Sequence, residues 1–148
     1  MSRQKRIIFT FGFIFLLLIG SIFLSNKIRA EVNLNTVLTT NGLDKDGRPI
    51  KFKRVFILNK APAVQYYADW NSDNSSHKVL IEWLGPQHQI INQLKLSNFS
   101  GNAVKSYISL EKRIQEQIVV PNQPGEYLIK LYIDEELRAV TKFELKED

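Results

Sequence analysis

Asp69, Asn71 and Asp73 carry side-chain oxygens at alternate positions of the run Asp69-Trp70-Asn71-Ser72-Asp73-Asn74, the spacing with which a calcium loop presents its first ligands. The rest of such a loop is missing. Position six holds Asn74 where Gly is preferred, and position twelve is Leu80 where a bidentate Glu is needed. The run therefore reads as a polar connection between two strands. Asp44-Lys45-Asp46-Gly47 fares worse: with Gly47 at position six, Gly42 falls first and Lys53 twelfth, so it reads as a turn. His77 and His88 are the only histidines and there is no cysteine. A zinc site would have to recruit carboxylates such as Glu82 or Asp73, and solvated loop histidines are the simpler reading. No nucleophile elbow, phosphate-binding glycine loop or paired-carboxylate motif is present. Asp134-Glu135-Glu136 reads as a hairpin tip. No catalytic residue, metal ligand or cofactor is assigned, and the chain is read as a non-enzyme.

Aromatic side chains offer the better binding chemistry. Tyr66 and Trp70 fall on one face of an extended stretch that runs into the polar segment from Asn71 to Ser76. Rings beside such a loop stack on sugars or anchor a protein partner, which makes Tyr66, Trp70, Asn71 and Asp73 the candidate contact residues. The competing role is packing between two sheets, since large aromatics are generally buried. Asn74-Ser75-Ser76 and Asn98-Phe99-Ser100 are glycosylation sequons, with meaning only in a eukaryotic secretory route.

Charge narrows the partners. The chain of 148 residues carries a formal charge of +5, but Arg3, Lys5, Arg6, Lys27 and Arg29 account for all of it. From Glu31 onward fifteen basic side chains face fifteen acidic ones, so nothing points to nucleic acid. Ile7 to Leu24 is free of charge and dominated by Ile, Phe and Leu. As a helix it would measure about 27 Å against a hydrocarbon core of about 30 Å. Three basic residues precede it and two follow, which favours a cytoplasmic amino terminus. The expectation is a single-pass anchor in the inner or cytoplasmic membrane, with the remainder outside. The alternative is a signal peptide cut after Ala30, but the apolar run is long for one, and Ile28 is large for the site.

The elements that would position the candidate residues are strands. Residues 31–40 read as a linker and first strand, and residues 41–148 as the main domain. Asn41 to Pro49 is a turn-rich loop. Ile50 to Leu58, Ala63 to Trp70, Lys78 to Leu84, Ile90 to Leu96 and Val104 to Leu110 read as strands, with loops at 71–76 and 98–102. Arg113 to Val120 fits either period and is assigned to strand. Tyr127, Ile129, Leu131 and Ile133 alternate strictly, and after Asp134-Glu135-Glu136 the alternation resumes at Leu137, Ala139, Thr141 and Phe143, the pattern of a hairpin. Short strands with regular turns predict an all-β, antiparallel sandwich.

Two patterns then resemble a known family of folds, the bacterial immunoglobulin-like and fibronectin-type sandwiches of exported proteins. Trp83 sits on a mid-chain strand, and Gln123-Pro124-Gly125-Glu126-Tyr127-Leu128-Ile129 enters the next-to-last one. The second is similar to a tyrosine corner. The resemblance, over residues 34 to 146, implies that Tyr127 bonds the backbone just upstream. It also implies that Ile129 stands where disulfide-bonded members carry their second cysteine, with apolar packing against Trp83 replacing the bridge. Such sandwiches host many functions. The expected role is an interaction or assembly module with a protein partner in the envelope, and carbohydrate or cell-wall binding is the alternative.

Overall fold

A computed structural model describes residues 31–71, 74–111 and 121–148. The expected anchor and the expected strand from Arg113 to Val120 lie outside the described residues. Among the described residues eight strands form two sheets: β1 (Leu34–Thr40), β2 (Val55–Ile57), β3 (Ala63–Trp70), β4 (His77–Leu84), β5 (Ile90–Phe99), β6 (Ala103–Ser109), β7 (Gly125–Ile133) and β8 (Glu136–Lys146). One sheet has the order β1-β3-β6 and the other β2-β8-β7-β4-β5.

Alternation sets the two inner faces. Along β3, Val64, Tyr66, Ala68 and Trp70 are buried while the residues between them are half-exposed. Along β7, Tyr127, Ile129, Leu131 and Ile133 are buried in the same way. These rows, with Val79, Ile81 and Trp83 from β4, make one continuous core. Aromatic rings fill its middle: Tyr66 meets Trp83 edge-on at 6.4 Å, Trp83 meets Phe143 at 5.9 Å, and Phe143 stacks on Tyr127 at 5.2 Å. The Trp83 indole Nε1–H donates to Ser106 Oγ at 3.0 Å, a polar tie between β4 and β6 that satisfies a donor otherwise costly to bury.

Both local patterns that carried the resemblance are present. The Tyr127 hydroxyl donates to the Gln123 carbonyl at 2.8 Å, and Ile129 lies directly opposite Trp83, both fully buried. The strand order is that of an immunoglobulin-like sandwich, with β4, β5, β7 and β8 in the places of strands C, C′, F and G.

Two expectations are corrected. The second strand was expected from Ile50 to Leu58 but spans only Val55–Ile57, because residues 50–54 carry the chain from one sheet to the other. Lys53 N–H donates to the Thr39 carbonyl on the first sheet, while the Arg54 carbonyl accepts from Glu144 on the second. Having crossed between sheets rather than turned in a hairpin, β2 lies parallel to β8, whereas the other pairings among the described strands are antiparallel. The loop expected at 98–102 starts later, since β5 runs on to Phe99, with Asn98 in the left-handed region (φ 56°) that Asn tolerates. The first strand expected within residues 31–40 is β1, which pairs along β3, and Val32, Thr39 and Thr40 are buried.

Candidate interaction surface

The even-numbered row of β3 points at the opposite sheet, and this decides the fate of the predicted contact residues. Tyr66 is 0 % exposed and Trp70 is 1 % exposed, so neither ring has a free face for a sugar or a partner. This corrects the expectation for both. Burial holds the Tyr66 phenol well above its ordinary pKa, with the adjacent Thr141 side chain opposing in part. Asn71 is half-buried and structural: its Oδ1 accepts from Asn33 N–H, and its own N–H donates to the Asn33 carbonyl at 3.0 Å, clipping the start of β1 to the end of β3. Asp73 lies outside the described residues. Among the described residues, no three His, Cys, Asp or Glu side chains are gathered as a metal site would require.

His77 is not a solvated loop residue. It is the first residue of β4 and is buried, with Nδ1 2.9 Å from Asp134 Oδ2. The other carboxylate oxygen of Asp134 accepts from Lys78 N–H at 3.0 Å, and the Trp70 ring stands edge-on to the imidazole at 6.3 Å. Asp134 and Glu135 form the two-residue tip of the β7–β8 hairpin, both at positive φ (54° and 72°), as a type I′ turn demands. The imidazole therefore locks that tip onto β4. His88 lies in the turn from Gly85 to Gln89 beyond the far end of β4, so the two histidines share no site.

With the rings buried, the accessible features are strand edges and outer faces. β5 is the longest edge, ten residues bounding the five-stranded sheet. One side pairs with β4, and among the described strands nothing pairs with the other. Its single charge is Lys95. Leu94 and Leu96 lean on the core, while Gln93, Lys95 and Ser97 are exposed. An edge this long with one gatekeeping charge is a template for a further strand, and it was visible in the sequence only as one more alternating stretch.

Neither a scan against family models nor a search of curated proteins finds a match for the chain. Solved structures do match. An immunoglobulin-like protein from Pseudomonas aeruginosa aligns over 80% of this chain and 98% of its own, at 11% identity and a TM-score of 0.49. An alkylpurine DNA glycosylase of Pseudomonas fluorescens, bound to DNA containing an abasic site analog, aligns over 79% of this chain and 31% of its own, at 11% identity and a TM-score of 0.46. A beta-glucosidase from Listeria innocua in complex with isofagomine aligns over 81% and 17%, at 12% identity and a TM-score of 0.42. The chain thus spans well under half of both enzymes. The fold assignment stands on strand order, pairing and the tyrosine corner.

Proposed function

We propose that this chain is a non-enzymatic interaction module of a membrane or envelope complex, held by residues 7–24 with its sandwich outside the cytoplasm. The observation that carries the reading is the β5 edge, which has no second partner among the described strands. A partner strand pairing there would gain main-chain hydrogen bonds and rest against the Leu94 and Leu96 row, the recognition mode known as strand addition. Balanced charge beyond residue 30 argues against a nucleic-acid partner. Carbohydrate stacking on Tyr66 and Trp70 loses its basis, because both rings are enclosed.

The test places a photo-crosslinking residue at Ser97 on the edge or at Lys130 in the middle of the same sheet. Full-length protein is then irradiated in its native membrane. One defined adduct at Ser97, weaker at Lys130 and lost in a chain beginning at Glu31, is the expected result. Equal labelling at both positions, or no adduct at Ser97, overturns strand addition. Recovery of soluble protein trimmed after Ala30 overturns the anchor.

A further inference from the structure

The crossover between the sheets has its own chemistry. From Gly47 to Ala68 the chain holds Arg48, Lys51, Lys53, Arg54 and Lys60 and no acid. Lys60 pairs with Asp148. Among the described residues the other four form no ion pair. Between them stand two exposed apolar side chains, Ile50 at 68 % and Phe52 at 50 %, and Val55 at 38 % follows directly after Arg54.

The ridge is fixed in place. Ile50 N–H donates to the Gly42 carbonyl, Lys53 N–H to the Thr39 carbonyl, and the Arg54 carbonyl accepts from Glu144 N–H. The Arg54 guanidinium lies 5.0 Å over Phe52, and the Lys53 ammonium 5.2 Å over Phe56. Acids close to the ridge are largely engaged: Asp44 accepts the N–H groups of Asp46 and Arg48, Glu126 pairs with Lys142, and Glu144 with Lys146. Asp44 and Asp46 are both exposed at the turn, and Asp46 is the one of the two whose carboxylate accepts no backbone N–H among the described residues.

Four unpaired cations interleaved with projecting apolar groups match a surface that carries anions above an apolar layer. We infer that residues 48–55 dock on an anionic phospholipid bilayer. Headgroup phosphates meet Arg48, Lys51, Lys53 and Arg54, and Ile50 and Phe52 enter the acyl boundary. A soluble polyanion would satisfy the charges but leave both apolar groups in water, so the bilayer is the better complement. Each basic residue near such a surface is worth a factor of about five, so the four together favour anionic over neutral lipid by on the order of several hundredfold. This inference is independent of the β5 edge and of any anchor.

Residues 31–148 contain both sheets and the whole core, so this fragment is the reagent. It is floated with vesicles of phosphatidylcholine alone and of phosphatidylcholine mixed with phosphatidylglycerol, at low and high salt. Binding is expected only to the mixed vesicles, released by salt. Lys51→Gln with Arg54→Gln is expected to reduce it by roughly 30-fold, and Phe52→Ser to weaken it with unchanged circular dichroism. Equal binding to neutral vesicles, no binding to either, or indifference to the double substitution overturns the inference. So does polyglutamate bound as tightly as the mixed vesicles and insensitive to Phe52→Ser, which would assign the ridge to an acidic protein.

Discussion

Two tyrosines offer the same chemical change with opposite expected signs. Tyr127 donates its hydroxyl to the Gln123 carbonyl at 2.8 Å and stacks its ring on Phe143. Tyr127→Phe keeps the stack and removes the bond, at a cost of about 1 kcal/mol. For a domain of this size that lowers the melting midpoint by about 3 to 6 °C. The Tyr66 hydroxyl is fully enclosed, and it faces Thr141 without a hydrogen bond of good geometry. A buried, unsatisfied hydroxyl carries a desolvation penalty of about 1 to 3 kcal/mol. Tyr66→Phe leaves the edge-on contact with Trp83 in place and is expected to stabilise by about 1 kcal/mol. Urea unfolding followed by circular dichroism measures both, with unchanged slopes confirming that the denatured states are comparable. If Tyr66→Phe destabilises as much as Tyr127→Phe, the Tyr66 hydroxyl is well bonded and the reasoning from burial fails. If Tyr127→Phe is neutral, the corner does not hold the turn into β7.

Alkaline titration tests the same burial. Tyr66 and Tyr127 have folded-state pKa values raised above the ordinary 10.0, chiefly by desolvation. The unfolded chain therefore loses these protons first, and the stability of the fold, unaffected by these groups below about pH 10, falls as pH rises beyond it. Urea midpoints measured up to about pH 12 should show that decline, shallower in Tyr66→Phe. Asp134→Ala strips acceptors from the buried His77 imidazole and from Lys78 N–H and is expected to cost about 2 kcal/mol. Asp134→Asn keeps an acceptor and tolerates the positive φ, so its urea midpoint should fall by less than half as much.

The sequence made strands legible where one row was apolar and the other polar. β3 and β7 have such rows, and β3 matches its expected limits, Ala63 to Trp70. The same logic bore on Tyr66 and Trp70: their row shares a strand with Gln65 and Asp69 on the opposite row, which turns the aromatic row inward. Ile50 to Leu58 misled because Ile50, Phe52, Phe56 and Leu58 fall on one alternating row, yet only Phe56 and Leu58 are buried while Ile50 and Phe52 are exposed; a crossover takes its pairing from two sheets, and periodicity within one segment carries no trace of that. His77 was misread because its partner Asp134 is distant in the chain. Only the register of β4 against β7, which sets Val79 opposite Ile133, brings them together. The β5 edge was illegible for a related reason, since a strand's sequence does not reveal how many of its neighbours exist.

The parallel pairing of β2 with β8 also fixes an order of events in time. As the chain is made from its amino terminus, β1 finds β3 soon after it appears, with only a short stretch between them. β2 has no such early partner, because Val55, Phe56 and Ile57 pair with Glu144, Leu145 and Lys146, far later in the sequence. Pairing over such sequence separation is slow, since the loop-closure entropy is lost before the contact is gained. Phe56, fully buried against Phe143 in the finished domain, therefore stays exposed until β8 is available. Until then the nascent chain is a sandwich with one wall unclosed, and loss of the β8 residues Glu144 to Lys146 would hold it there.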